Sequence, residues 1–207
     1  AIIMQSVASV MTLGMNMILM PYSELAISVY SVYAKLQQFI FMPVMGMNSA
    51  LIAIVGYNFG AQKKQRIYQA TRYSLIAAVM IMALGTLIFQ AFPQALLGMF
   101  NASAEMLDIG IPALKTISLS FVFAGVSIVL CSIFQALDDG MLSLWVSLGR
   151  QLILVLPLAW LLSTWGGLNA LWLAFVISEA VCMVFSAVMY RRVRVRQIDV
   201  LGANPIV

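Results

Sequence analysis

Residues 42–66 read M-P-V-M-G-M-N-S-A-L-I-A-I-V-G-Y-N-F-G-A-Q-K-K-Q-R. An apolar run carries a helix breaker (Pro43) and a glycine (Gly46), leaves through the polar unit G-Y-N-F-G-A, and ends on a basic cluster at Lys63, Lys64 and Arg66. Such an order describes a membrane helix that bends and stops at a charged surface. Upstream, the run extends back to Ala26. The segment Ala26–Tyr57 is 32 residues long, which is about 48 Å as a straight helix at 1.5 Å per residue. It must be tilted, bent or longer than the bilayer is thick, and Pro43 and Gly46 are the hinge candidates.

Composition supports a lipid solvent. Of the 207 residues, 63% are hydrophobic and only 9% are charged, and the mean hydropathy is +1.03. Soluble domains carry about a quarter charged residues, because a folded chain in water needs a wetted surface. The chain therefore reads as an all-α integral membrane protein. Five further segments reach the roughly 20 residues that cross a hydrocarbon core: 2–20, 68–92, 111–137, 142–162 and 168–190. A short apolar piece, P-Q-A-L-L-G at Pro93–Gly98, lies between them. The organisation expected is a six-helix lobe over 1–190 and a basic tail over 191–207. The chain begins inside an apolar run with no charged n-region and no small-residue cleavage site. No signal peptide is expected, and a longer parent protein is.

Net charge is +4, and its placement reads as orientation rather than nucleic-acid binding. Lys63, Lys64, Arg66, Arg72, Arg150, Arg191, Arg192, Arg194 and Arg196 lie toward one side; Lys35 and Lys115 lie toward the other. The positive-inside rule puts both ends of this segment in the cytoplasm, and the location expected is a bacterial inner membrane. There is no histidine, so His-based triads and zinc sites are excluded. Cys131 and Cys182 both sit in apolar runs without metal spacing. No serine, cysteine or carboxylate has an activating partner at recognisable spacing, so no catalytic residue, metal or cofactor is assigned.

Polar residues inside the spans carry the functional information. Gln5, Ser9, Thr12 and Asn16 stack on one face of the first segment, and Ser31, Lys35 and Gln38 on one face of the second. Such stripes face either neighbouring helices or a water-filled cavity. Gln5, Asn16, Lys35 and Gln38 are accordingly the cavity-lining, substrate-contacting candidates. Lys35 lies about 14 Å from the outer end of its helix, Glu179 about 16 Å from the outer end of its own, and Arg150 about 12 Å from its inner end. The turn G-G-L-N makes the last two segments antiparallel neighbours, so Arg150 and Glu179 can pair. That pair either fixes two helices or changes partner during transport.

Several stretches resemble the second half of multidrug and toxic compound extrusion (MATE) transporters. Y-A-K-L-Q-Q-F-I-F-M-P-V-M-G-M-N-S-A-L-I-A-I-V-G-Y-N-F-G-A-Q (33–62) is similar to their eighth helix and its exit. I-S-L-S-F-V-F-A-G-V-S followed by F-Q-A-L-D-D-G resembles the tenth, and S-L-G-R-Q-L-I-L-V-L-P-L-A-W-L-L with G-G-L-N-A-L-W-L-A-F-V-I-S-E the eleventh and twelfth. The resemblance implies one lobe of a twelve-helix, two-lobe antiporter that exchanges small organic cations or drugs for sodium or protons. The N-terminal lobe and membrane lipid would be its partners. Some members carry a carboxylate within the seventh or tenth helix; here neither 2–20 nor 111–137 has one, Asp138 lying just beyond. The alternatives are a flippase for lipid-linked saccharides and a non-transporting dimeric six-helix module.

Overall fold

Ser23 starts the long helix. Its backbone is extended (φ −175°, ψ 144°) and its hydroxyl accepts the Leu25 N–H, while Glu24 adds a negative charge to the first turn. Both satisfy the free N–H groups of a helix start. The computed structural model describes residues 2–201, and side chains from Ser9 onward except Gln151. It is all-helical over these residues: α1 Ile2–Leu19, α2 Glu24–Gly60, α3 Lys64–Ala91, α4 Pro93–Gly98, α5 Ala104–Ser118, α6 Phe121–Ala136, α7 Gly140–Leu148, a π-helical turn Gly149–Leu154, α8 Val155–Leu171, α9 Leu173–Val193 and a second π-helical turn Arg194–Ile198.

By length and apolarity, four of these stretches can cross a membrane: Glu24–Gly60, Lys64–Ala91, Gly140–Leu171 and Leu173–Ile198. A fifth forms when the bent pair α5 and α6 counts as one span. Of the first segment, the part with described side chains, Ser9–Leu19, is a shorter apolar helix. Large apolar side chains such as Met17, Leu87 and Trp165 remain exposed on the outside, as lipid permits and water does not.

Packing centres on α2, α3 and α6. Phe121 at the start of α6 makes edge-to-face contacts with Phe41 of α2 (5.5 Å between centroids) and Phe89 of α3 (5.0 Å). A Cβ placed on Gly125 would stand 2.8 Å from Met82 Cγ, so the α3–α6 approach requires glycine there. The G-x-x-x-G at Gly56 and Gly60 is not such a seam. A Cβ at Gly56 would meet only Ala136 O at 3.6 Å, one at Gly60 nothing within 4 Å, and α2 ends at Gly60.

The structure departs from the segment boundaries in three places. The stretch 111–137 is not one straight helix: it starts earlier, at Ala104, where the Ser103 hydroxyl accepts the Met106 N–H, and it bends by 45° between Ser118 and Phe121. The carbonyls loosened by that bend find donors on α3. Thr86 donates to Ser118 O (2.9 Å) and Gln90 Nε2 to Lys115 O (2.7 Å), which is how a broken helix survives in an apolar bundle. The turn between the last two spans is a single break at Gly167 (φ 68°, ψ −160°) inside otherwise helical chain, a conformation essentially reserved for glycine.

Third, the basic tail is not free from residue 191. The helix continues to Val193 and the π turn to Ile198, which is fully buried. Tyr68 donates to Asp199 Oδ1, Arg194 Nε lies 3.4 Å from Asp199 Oδ2, and Gln197 Nε2 donates to Asp139 Oδ2 at 3.0 Å. These contacts tie the end of α9 to the start of α3 and to the turn before α7.

α2 runs unbroken through Pro43. Proline gives the Phe39 carbonyl no donor, and Phe39, Met42, Pro43, Met45 and Gly46 all lie on an exposed stripe. No neighbouring atom comes within 4 Å of a Cβ built on Gly46. Tertiary packing therefore leaves this part of the helix unconstrained on that side.

Candidate functional site

The site is built where the π turn meets α9. Pro157 cannot donate to the carbonyl one turn before it, at Ile153, and the helix upstream widens into the π turn Gly149–Leu154. Such widenings relieve an interrupted hydrogen-bond ladder. Arg150 is the second residue of this turn. Its Nε lies 3.7 Å from Glu179 Oε1 of α9, and the two side chains are 14% and 13% exposed. Both charges are thus largely withdrawn from solvent but still border open space. At 3.7 Å the contact is an ion pair and too long for a hydrogen bond.

That open space is a cavity of about 220 Å³, lined by Thr12, Tyr30, Tyr33, Gln37 and Phe175 together with the ion pair. The three rings form one cluster: Tyr30–Tyr33 6.1 Å, Tyr30–Phe175 6.2 Å and Tyr33–Phe175 5.9 Å, the last edge-to-face. Thr12 hydrogen-bonds Tyr30 and so fixes one edge of the wall. Chemically, the arrangement offers flat aromatic surface, a few neutral polar groups and one charge of each sign. This suits recognition. Among the described residues no group of three or more metal-ligating side chains exists.

The candidates named from sequence fall into separate places. Arg150 and Glu179 are brought together at the cavity. Lys35 and Gln38 lie on the adjacent exposed stripe of α2 with Ser28 and Ser31, and Lys35 Nζ stands 5.8 Å from the centre of the Phe100 ring. Asn16 is half-buried, its Oδ1 enclosed without a hydrogen-bond partner, and it does not line the cavity. Gln5 lies outside the described side chains. Pro43 and Gly46 stand on the exposed stripe beyond the cavity. The face of α2 that does line the cavity is Tyr30, Tyr33, Ala34, Gln37 and Phe41. Its spacing of three, one, three and four was readable as a helical face, but aromatic and small residues in that pattern read equally as core.

The MatE family profile matches residues 1–161. The multidrug export protein MepA of Staphylococcus saprophyticus is 23% identical over 182 residues, covering 88% of this chain and 40% of the relative. An FAD transporter of Shewanella oneidensis is 27% identical over 154 residues, covering 74% of this chain and 34% of the relative. In solved structures, the outward-facing conformation of a multidrug resistance MATE family transporter of the MOP superfamily superposes with a TM-score of 0.88 at 20% identity, over 98% of this chain and 45% of that one. A MOP superfamily transporter from Pyrococcus furiosus superposes with a TM-score of 0.87 at 20% identity, over 96% and 44%. This chain spans less than half the length of the relatives it matches.

Proposed function

This chain belongs to the MatE family, and we propose on that premise that it forms the six-span C-terminal lobe of a two-lobe exporter of drugs and other small organic molecules. The family is one of transporters rather than enzymes. The observation that carries the reading is an aromatic-walled cavity holding an ion pair inside a bundle whose outer surface is apolar. A charge pair in such surroundings is costly unless it serves packing or a pathway, and here one side of it borders a cavity. Relatives are named for multidrug export and for FAD transport, and both names describe movement of organic molecules.

The exposed stripe of α2, with Ser28, Ser31, Lys35 and Gln38, faces the second lobe and the central passage. Alternating access then consists of one lobe rocking against the other, with Pro43 and Gly46 as the place where α2 yields. Sodium or protons drive the exchange. The protein sits in the bacterial inner membrane with both ends of this segment in the cytoplasm.

Ethidium export by the full-length protein in everted vesicles tests this. Wild type should export under an imposed sodium or proton gradient, and Lys35→Ala and Glu179→Gln should each weaken gradient-driven export. Unchanged coupled export in both variants removes those residues from the mechanism. No export of ethidium or any other organic substrate by wild type would sink the reading itself.

A further inference from the structure

We infer that the surface where the basic ends of α3 and α9 meet holds the headgroup of an anionic phospholipid, with Arg72 and Arg191 as the pair that binds its phosphate. The inference goes beyond the transporter reading and takes from it only the placement of these helices across a bilayer.

Two basic clusters that are far apart in the chain share one end of the bundle. Tyr68 of α3 donates to Asp199 Oδ1 beyond α9, Arg194 Cζ stands 5.3 Å from the centre of the Tyr68 ring, and Thr71 lies beside Tyr190. α3 and α9 each pack along α6, and these side chains join them to one another at the basic end. Four exposed cations from 63–72 and four from 191–196 stand there against three carboxylates, Asp138, Asp139 and Asp199. Asp199 is already engaged by Tyr68 and Arg194, and Asp139 accepts from Gln197. The surplus is positive.

Helical spacing sorts these cations by face. On α3, Arg72 lies about 40° round from Tyr68 on the side away from buried Thr71, whereas Arg66 lies about 160° from Tyr68. On α9, Arg191 lies about 60° round from Arg194 on the side away from buried Val193, whereas Arg192 lies about 160° from Arg194. Arg72 and Arg191 thus flank the Tyr68–Arg194 contact on its outer side, one from each helix. Both are exposed, and among the described residues neither has a carboxylate at ion-pair distance.

Their depths match as well. Arg72 is eight residues past the start of α3 and Arg191 seven residues before Ile198, so each stands about 10–12 Å inside its helix end. α3 has 28 residues and is about 42 Å long, against a hydrocarbon core of about 30 Å. Seated with its apolar end at the far edge of the core, α3 carries Arg72 to the near edge, where phosphates begin. Long basic side chains at that level extend their heads toward the headgroups.

Beyond this rim the same two helices turn apolar and remain exposed, with Tyr73, Ile76 and Met80 on α3 and Val184, Phe185 and Val188 on α9. A ligand that fits is anionic at one end and apolar at the other. Two guanidiniums match the oxygens of a phosphodiester, and acyl chains cover the apolar rows. A phosphate without an attached cation is preferred, because the surface carries surplus positive charge. Orientation by the positive-inside rule needs only charge near a span end. It does not need arginines from two separate spans at one depth on one rim.

The test uses the full-length protein in neutral detergent and the fluorescence anisotropy of a chain-labelled phosphatidylglycerol. Unlabelled phosphatidylglycerol should displace the probe at about tenfold lower concentration than phosphatidylcholine with the same chains, since each cation at a headgroup surface contributes several-fold. Inorganic phosphate should not displace it. The double variant Arg72→Gln with Arg191→Gln should weaken phosphatidylglycerol binding by about tenfold and leave phosphatidylcholine binding unchanged. Arg66→Gln with Arg192→Gln removes the same charge from the same end on other faces, and should change binding by less than about twofold.

Equal affinity of wild type for the two lipids overturns the inference, and that outcome needs no variant to fold. Equal losses in the two double variants overturn it in favour of diffuse charge. Displacement by inorganic phosphate overturns it in favour of a site for free anions. Each arm is read without a gradient, so these failures are distinct from a failure of ethidium export, which bears on the transporter reading instead.

Discussion

Arg150 and Glu179 face each other across the α8–α9 hairpin with Nε and Oε1 3.7 Å apart, and neither charge has another charged partner among the residues that line their cavity. Each is the other's compensation. Removing one leaves its partner buried and uncompensated, which is more damaging than removing both.

Glu179→Ala is therefore expected to destabilise the protein by about 3 kcal/mol, in line with losses seen when one member of a buried pair is deleted. The double variant Arg150→Gln with Glu179→Ala should recover at least half of that, with Arg150→Gln as the other single. Thermal unfolding in detergent of the two singles and the double gives the coupling directly. Simple addition of the single losses in the double variant would show that the pair does not act as a unit.

Gly46→Ala separates stability from motion. No atom lies within 4 Å of the added methyl, and alanine is the better helix former by about 0.5–1 kcal/mol. The thermal midpoint should rise slightly. Slower export in the same variant, measured with ethidium in vesicles, would assign the exposed Pro43–Gly46 stripe a role in movement. A fall in stability would mean that the glycine is held by a contact in the whole protein.

Gly125 behaves in the opposite way. A Cβ there would collide with Met82 Cγ at 2.8 Å, and overpacking of this kind typically costs about 1–3 kcal/mol. Gly125→Val should lower the unfolding midpoint, and adding Met82→Ala should restore part of the loss. Additive losses in the pair would contradict a shared seam between α3 and α6.

Thr86→Val tests the bend between α5 and α6. The threonine hydroxyl donates to Ser118 O at 2.9 Å, and leaving that carbonyl without a donor should cost about 1–3 kcal/mol. Hydrogen exchange should speed up over residues 116–121. Exchange that speeds up elsewhere but not there would place the stabilising role of Thr86 outside the bend.

Asp199 gives the folded end of α9 a pH dependence. The hydrogen bond from Tyr68, aided by Arg194 and Lys64, holds its carboxyl below the usual carboxylate range. A carboxylate with a lowered folded-state pKa contributes stability that is complete above its ordinary value of about 3.9 and is lost as the pH falls through the lower folded value. Protection against hydrogen exchange over 194–199, relative to the intrinsic rate at each pH, should therefore be high at neutral pH and fall in strong acid. Asp199→Asn or Tyr68→Phe should make exchange fast already at neutral pH. Equal protection in Asp199→Asn at neutral pH would show that Ile198 burial alone holds this end.

Much of this was legible in the chain itself. Charge scarcity and the length of the apolar runs set an all-helical membrane protein, because the bilayer forces backbone groups to pair within the segment. Pro93–Gly98 formed its short piece, and Arg150 met Glu179 because the close turn between the last two spans makes them antiparallel neighbours. The bend at Ser118–Phe121 was not legible. It depends on donors from Thr86 and Gln90, more than 25 residues away, and no local signal announces a partner supplied by another helix. Nor did the basic residues after Tyr190 reveal that Ile198 is buried and Asp199 bonded to Tyr68.

Sequence by itself thus indicated the solvent and the helical class, and made a pairing of the two intramembrane charges possible. Each follows from a local rule: hydropathy against bilayer thickness, or the short reach of one turn. Only the tertiary structure decided which face of α2 lines the cavity. Helical periodicity identifies stripes and does not say which neighbour each stripe meets. The ring cluster of Tyr30, Tyr33 and Phe175 joins α2 to α9 across more than 140 residues of chain. That contact turns the Tyr30–Gln37 face toward the ion pair and leaves Lys35 and Gln38 on the outside.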